Sequence, residues 1–356
     1  MLIKRLENVK KLLIENKIEA LLINKPEDRY YLSNFSGSNG YLIITENENF
    51  FVTDFRYVEQ AKGETDGFEI VMYKRDELFS AISDILKESN VSELAFDSTA
   101  LTFKEYNTFE NSLNVKLKAV DNVLRDMRSV KDEKEIDLIR QAQEISEKAF
   151  VQMMEKIKPG VTEKELSVEL EYQMLLLGAT KLAFPNIVAS GVRSSLPHGR
   201  ATDKIVENGD FITFDFGAYY KGYCADMTRT VVVGNCSDKQ KKIYNIVLSA
   251  QLAALDYAKA GISGKELDKV AREYIAKAGF GDYFGHGLGH GIGKVVHEAP
   301  SANQRSDDIL KVNQIISIEP GIYIPEWGGV RIEDLIVIKE NGHLNLNNLT
   351  KELIVI

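Results

Sequence analysis

The chain has 356 residues, 44% of them hydrophobic and 27% charged, which is room for two domains with the composition of an ordinary soluble globular protein. A formal net charge of -9 and the lack of a basic run argue against a nucleic-acid-binding surface. The two cysteines, Cys224 and Cys236, lack CxxC spacing, so a disulfide scaffold or zinc finger is not expected and a reduced compartment is.

The N-terminal segment MLIKRLENVKKLLIENK alternates charged and apolar residues at helical spacing and has no apolar signal-peptide core. Nothing later approaches the ~20 apolar residues of a membrane span. A cytoplasmic protein without membrane segments is expected.

Residues 1–122 read as a compact α/β domain. A helix over Ile3–Glu15 leads to the strand EALLIN, and the polar turn NFSGSN to the strands GYLIIT and FFVT. A helix starting near Asp54, with Asp54 at its N-cap, precedes the strand GFEIVMY. A helix around Leu78–Leu86 and the strands ELAF and KLKAV complete the domain, and none of these elements carries a catalytic cluster.

Residues 123–131 read as a linker and residues 132–356 as a second domain, opened by a long helix with Ile136, Ile139, Ala142, Ile145 and Ala149 on one face. A weak internal repeat follows. PGVTEKELSVELEYQMLLLGA and AGISGKELDKVAREYIAKAG share a glycine, a capping box (Thr162 with Glu165, Ser263 with Glu266), a KEL triplet and a closing glycine. Each copy follows a long helix and precedes strands that carry two acids, as one supersecondary unit used twice would do.

Four of those acids, with one histidine, form the candidate site. Asp215 and Asp226 lie in DFITFDFGAYYKGYCADMTRTVVVG, whose flanks read as strands around a Tyr220–Lys221 turn. An unbulged hairpin centred there sets Asp215 opposite Asp226, with Cβ atoms about 4.5–5.5 Å apart. Like charges so close are destabilising, and a cation between them removes the conflict. Glu319 in IISIEPG and Glu333 in GGVRIEDLIVI form a second acid pair, on strands joined by PGIYIPEWGG. His290 lies in GHGLGHGIGKVVHE, where glycines recur at alternate positions. Such a strand has a bare backbone that substrate or metal can approach. Four of the five histidines (His198, His286, His290, His297) fall in this segment or in LPHGR. Asp215, Asp226, His290, Glu319 and Glu333 thus form an oxygen-rich set suited to two divalent ions, manganese first and cobalt, zinc or iron as alternatives.

These motifs, with MRSVKDEKEIDLIRQA and DFRYVEQA, resemble the Xaa-Pro aminopeptidases and prolidases almost end to end. The resemblance implies an α/β two-domain chain: an N-terminal creatinase-like, ribonuclease-H-like domain, then a pita-bread α+β catalytic domain with pseudo-two-fold symmetry. It implies that Asp215 holds one metal through both oxygens, that Asp226 and Glu333 bridge the pair, and that His290 and Glu319 complete the ligands of the second metal. His198 and His297 match the family's substrate-facing histidines. Arg331 and Arg305 resemble residues that hold a substrate carboxylate or order the bridging ligands. Every ligand type is present, so a metal-free relative such as creatinase is not indicated.

The activity so implied is hydrolysis of the first peptide bond of peptides with proline in second place, and the resemblance also implies a homodimer. Glu319 would move the proton, His297 polarise the carbonyl and His198 steady the tetrahedral species. A strict Xaa-Pro dipeptidase is the alternative, and Phe184 and Tyr323 are candidate walls of a proline slot. Remoter readings are a methionine aminopeptidase, a non-catalytic peptide-binding relative and a two-metal phosphoesterase.

Overall fold

The computed structural model describes residues 2–356, which divide after Asp126 into two compact units. The N-terminal unit is built on a mixed six-stranded sheet in the order Glu69–Tyr73, Asn49–Asp54, Tyr41–Thr45, Ala20–Ile23, Glu93–Asp97 and Lys116–Val120. The central strand Ala20–Ile23 is buried throughout, and Leu22, Ile43, Val52, Ile85, Leu94 and Phe109 pack into one core.

Two helices in this unit escape the hydrophobic pattern, Pro26–Ser33 and Phe103–Ser112. The first has proline in its opening turn and no side-chain cap. The second carries a Thr102/Glu105 capping box, a signal that was present in the sequence as TFKE. Asp54 does not cap a helix. It ends a strand, receives Arg56 at 2.8 Å and Asn39 at 2.7 Å, and its carboxyl is drawn down to about 2, chiefly by the Arg56 hydrogen bond. The helix that follows starts at Val58.

Residues 123–131 contain the short helix Arg125–Ser129. Beyond it, the helix Glu133–Met154 opens on an Asp132/Glu135 capping box and buries Ile136, Ile139, Ala142, Ile145 and Ala149. The repeat read from the sequence has a structural counterpart. The helices Glu163–Leu176 and Gly264–Lys277 start at Thr162 and Ser263 with complete capping boxes, and each cap residue also bridges an isoleucine, Ile205 and Ile309. Each packs on a longer helix, Glu133–Met154 or Asp238–Tyr257, and each half contributes a sheet. One sheet runs in the order Ile354–Val355, Met227–Val232, Phe211–Phe216, Ile187–Ser190. The other runs Glu298–Ala302, Gly289–Gly291, Ile315–Ile318, Asp334–Lys339, Gly342–Asn345.

Strand register departs from the simple hairpin. The turn is Lys221–Gly222, with φ of 46° and 86°, the two left-handed residues that a tight two-residue hairpin turn needs. Asp215 therefore faces Thr228 rather than Asp226. Asp226 lies two positions from Thr228 and so keeps to the same face as Asp215. The strands break at Gly217, where an added Cβ would land on the Ala225 carbonyl. Glu319 and Glu333 likewise do not sit inside one strand pair. They occupy the breaks between Ile315–Ile318 and Gly321–Ile324, and between Gly328–Arg331 and Asp334–Lys339. The alternating glycines form only the three-residue strand Gly289–Gly291, and their bareness admits neighbouring backbone: Cβ atoms at Gly289 and Gly291 would meet the carbonyls of Ser317 and Ala299.

Arg229 ties the two sheets together. Its guanidinium donates to the carbonyls of Glu333 (2.6 Å), Leu349 (2.9 Å) and Thr350 (3.0 Å) and pairs with Asp334 at 2.8 Å, both side chains being 1% exposed. Replacing Arg229 with Met strands three carbonyls and leaves Asp334 Oδ1 without its partner, with only Lys351 and Asn345 on Oδ2. The expected loss is about 3–5 kcal/mol of unfolding free energy, read from urea denaturation, whereas a loss within 1 kcal/mol would remove Arg229 from this role.

Candidate metal centre

The carboxylates converge where the two sheets of the C-terminal unit meet. A cavity of about 550 Å³ is lined by Asp215, Asp226, His290, Glu319 and Glu333, together with His198, His286, His297, Arg200, Arg331 and Phe184 among others. Ligand atoms of Asp226, His290 and Glu333 all lie within 4.8 Å of one another. His290 Nε2 stands 3.3 Å from Glu319 Oε1 and 3.6 Å from Asp226 Oδ2. The five residues singled out in the sequence are thus brought to one pocket.

The electrostatics are those of a site short of positive charge. Burial, and then the neighbouring carboxylates, push Asp226 and Glu333 well above the ordinary carboxylate range; Asp215 is raised mainly by burial. Burial also acts to raise Glu319, but the hydrogen bond and charge of His290 overcome it and hold Glu319 down at about 2. Asp215 Oδ1 and Glu333 Oε1 are buried with no hydrogen-bond partner. Bare carboxylate oxygens, a near imidazole nitrogen and no thiolate make a donor set that fits hard or borderline divalent cations.

Side chains behind these groups fix their aim. His290 Nδ1 lies 3.1 Å from the Gly291 carbonyl, which can only accept, so Nδ1 carries the proton and Nε2 faces the pocket. Ser317 donates to Glu319 Oε1 at 3.0 Å. Thr228 donates to Glu333 Oε2 at 2.7 Å and accepts from Arg331 Nε at 3.0 Å. Arg331 also donates to Asp215 Oδ2 at 2.6 Å, Tyr323 Oη at 2.9 Å and the Pro197 carbonyl at 3.2 Å. Its guanidinium is therefore committed to the acids and their supports. Tyr323 in turn meets His286 Nε2 at 2.8 Å, while His286 Nδ1 donates to the Gly287 carbonyl at 2.7 Å. Burial keeps the His286 imidazole on the neutral side of its ordinary titration.

His198 and His297 are both exposed and line the cavity, and the His297 ring stacks edge-on against His290 at 4.3 Å. The segment carrying His198 is held by Glu163, which is fully buried and accepts from Ser190 N (2.7 Å), Thr202 N (3.0 Å), Thr202 Oγ1 (2.8 Å) and Arg193. Asp268 does the same work beside His286, receiving Leu288 N at 3.0 Å and Arg272 at 2.7 Å. Arg305 does not line the cavity itself but lies in a recess that shares His286, Gly287 and Asn303 with it. It is exposed, and Arg272 and Gln304 also line that recess. Tyr323 is a buried support, whereas Phe184 does line the cavity. Sequence reading assigned no role to Thr228, Ser317, His286 or Arg200. Thr228 faces Asp215 across the strand pair, so its side chain shares that face.

Residues 137–340 match metallopeptidase family M24, and residues 5–130 match the creatinase/prolidase N-terminal domain. The chain belongs to metallopeptidase family M24. The Xaa-Pro dipeptidase of Pyrococcus furiosus is 44% identical, over 99% of both chains. Among solved structures, the Xaa-Pro dipeptidase from Bacillus anthracis superposes with a TM-score of 0.98 at 42% identity, covering 100% of both chains. The X-Pro aminopeptidase from Thermotoga maritima gives 0.90 at 43% identity, covering 95% of this chain and 97% of its own. The fold is accordingly a creatinase-type N-terminal domain followed by the pita-bread catalytic domain of M24 enzymes, whose chemistry uses divalent metal ions.

The crowding has a measurable signature. Acids whose folded pKa is raised bind protons more tightly in the folded than in the unfolded chain, so the metal-free M24 chain should lose stability as pH climbs above about 4. A binding cation should expel those protons. Titration of metal-free protein with Mn²⁺ at pH 7 should release protons, seen as heats that vary with the buffer's ionisation enthalpy, and affinity should rise with pH. Heats independent of buffer would contradict this.

Proposed function

We propose that this chain is a metal-dependent Xaa-Pro dipeptidase that hydrolyses the bond preceding a C-terminal proline. The observation that carries the reading is the convergence of Asp215, Asp226, His290, Glu319 and Glu333, with bare oxygens on Asp215 and Glu333, on one cavity of about 550 Å³. The Xaa-Pro aminopeptidase activity expected from the family resemblance is the weaker of the two. The Pyrococcus furiosus relative, matched over nearly its whole length, is a dipeptidase by name, as is the Bacillus anthracis structure. The Thermotoga maritima structure keeps the aminopeptidase as a second reading.

In this reading two divalent ions would be held by Asp215, Asp226, His290, Glu319 and Glu333. Four carboxylates with a single imidazole favour manganese. Such a pair supplies Lewis acidity and a water of lowered pKa. Arg331 keeps Asp215 aimed, and Thr228 keeps Glu333 aimed, so the acids need little reorganisation during turnover. Glu319, held ionised beside His290, takes the proton from the attacking water and delivers it to the departing proline nitrogen. His297 and His198, on the open side of the cavity, donate to the scissile carbonyl oxygen as it gains charge. Burial, and then the charge of His290, keep His297 below its ordinary pKa, so it donates as a neutral imidazole.

Proline's tertiary amide has no N–H, and its ring is rigid. Phe184, Pro185 and Ile187 offer an apolar wall that asks for no donor. We further infer a homodimer in a reducing, cytoplasmic compartment, in keeping with two unpaired cysteines, one of them buried. Among the described residues no helix is long and apolar enough to cross a membrane.

Two measurements test the proposal. Chelation should abolish cleavage of Ala-Pro, and Mn²⁺ should restore it; full turnover without metal would end the metal reading. Ala-Pro should be cleaved far faster than Ala-Pro-Ala, and equal rates would favour the aminopeptidase. Within an active holoenzyme, replacing His198 or His297 with Ala should cost about 10²–10³-fold in kcat, as loss of one oxyanion donor does.

A further inference from the structure

We propose that Lys131 and Arg128 are positioning residues for His297, acting through the buried carboxylate of Glu298. The inference rests on the role given to His297 above and names what holds that imidazole in reach of the scissile carbonyl.

His297 ends the connection 292–297 between the strands Gly289–Gly291 and Glu298–Ala302. Its ring packs edge-on against His290 at 4.3 Å but makes no hydrogen bond among the described residues. An imidazole without a polar anchor goes where its backbone puts it, and a connecting segment is softer than the strands it joins. A donor to a developing oxyanion has to be in place beforehand, so this connection needs stiffening.

Glu298 stiffens it from inside the turn. It faces Gly291 across the strand pair, at the mouth of the connection, and its side chain is 3% exposed. Its Oε1 accepts from the backbone N–H groups of Lys294 at 2.9 Å and Val295 at 3.2 Å. Gly293 leaves room for the carboxylate, since a Cβ there would stand 2.6 Å from Glu298 Oε2. A carboxylate folded back over its own loop, with a glycine cleared for it, ties the backbone on both sides of His297 together.

That carboxylate is in turn held from outside the loop. Arg128 reaches Oε1 at 3.2 Å and Lys131 reaches Oε2 at 3.4 Å, their side chains 13% and 1% exposed. Lys131 Nζ also donates to the Ser129 carbonyl at 3.2 Å, and its backbone N–H donates to the Asn313 carbonyl at 3.0 Å. Gln314 Nε2 donates to Ser129 Oγ at 3.1 Å. Asn313 and Gln314 lead into the strand Ile315–Ile318, whose Ile316 pairs with Gly291, so the cations and the loop share one support. A buried carboxylate deprived of its cations is left uncompensated or turns toward water, and in turning it releases Lys294 and Val295. Arg128, Lys131 and Glu298 do not line the cavity, so they act on substrate only through His297.

The Mn²⁺-loaded full chain is assayed beside K131M, R128M, R128K, H297A and the double variant H297A/K131M, on whichever of Ala-Pro and Ala-Pro-Ala the wild type cleaves faster. K131M should lose about ten- to a hundredfold in kcat, no more than H297A loses, with KM changed by less than about twofold and bound Mn²⁺ per chain equal to wild type. R128M, at the rim of the cluster, should lose less, and R128K should recover most of that loss. In the H297A background K131M should cost under about twofold, because the group it positions is gone. If K131M costs the same factor with and without His297, it acts elsewhere and the assignment is wrong. Wild-type kcat in both K131M and R128M, with H297A impaired, overturns the assignment and leaves the proposed function standing. Should H297A keep wild-type kcat, the role of His297 falls and the inference falls with it. If K131M does not fold, R128M, R128K and H297A/R128M carry the same comparison.

Discussion

Crowding of negative charge is the constraint around which the C-terminal unit is organised. Asp215, Asp226, Glu319 and Glu333 share one buried pocket with a single imidazole close among them. In water such a group would disperse. Here Asp215 is fixed inside a strand and the other three at strand breaks, all with buried flanks, so they cannot turn away without unravelling a sheet. The protein's own answer is partial. Arg331 meets one oxygen of Asp215, and His290 lies near Glu319 and Asp226, but among the described residues Glu333 has no cationic partner. The deficit has the sign and the place that a divalent cation would fill.

The supports are arranged so that Asp215 and Glu333 each have one committed oxygen and one left over. Thr228 takes Glu333 Oε2 while Oε1 stays bare, and Arg331 takes Asp215 Oδ2 while Oδ1 stays bare. Arg331 is the hub, because the same guanidinium meets Thr228, Asp215 and Tyr323, and through Tyr323 it reaches neutral His286. Orientation is thus inherited from a buried network, which costs less entropy than ordering long free side chains at each turnover. His198 and His297 are the opposite case, exposed on the open side where a substrate enters.

The sequence made the acids legible because an aspartate between Phe214 and Phe216, or a glutamate closing IISI, has no apolar explanation. It made the two-fold repeat legible because capping boxes are short, local patterns, and both formed as written. Register was less legible. Tyr220–Lys221 and Lys221–Gly222 are both plausible turns, and only the second puts two left-handed residues at its centre. A one-residue shift of the turn moved the partner of Asp215 by two positions, which preserved the face and so the site. The alternating glycines have a second use that their pattern does not show: Gly287 and Gly289 line the cavity, while bareness at Gly289 and Gly291 admits the Ser317 and Ala299 carbonyls. Arg305 was drawn in by resemblance, whereas Arg200 was overlooked because a lone arginine after HG carries no local signature. Side-chain partners over a hundred positions away, such as Thr228 for Glu333, leave no mark in either segment taken alone.

The same long separations bear on how the pocket comes into being. Arg331 meets Asp215 across 116 positions, Thr228 meets Glu333 across 105, and Arg229 meets Asp334 across 105. Helices and hairpins within each half close short loops, but these contacts wait until both halves have collapsed onto each other. Assembly of the pocket is then a late folding event, and whatever stabilises it afterwards acts mainly on how slowly the finished unit comes apart. Cation occupancy would in that case govern the lifetime of the folded state more than the speed of reaching it.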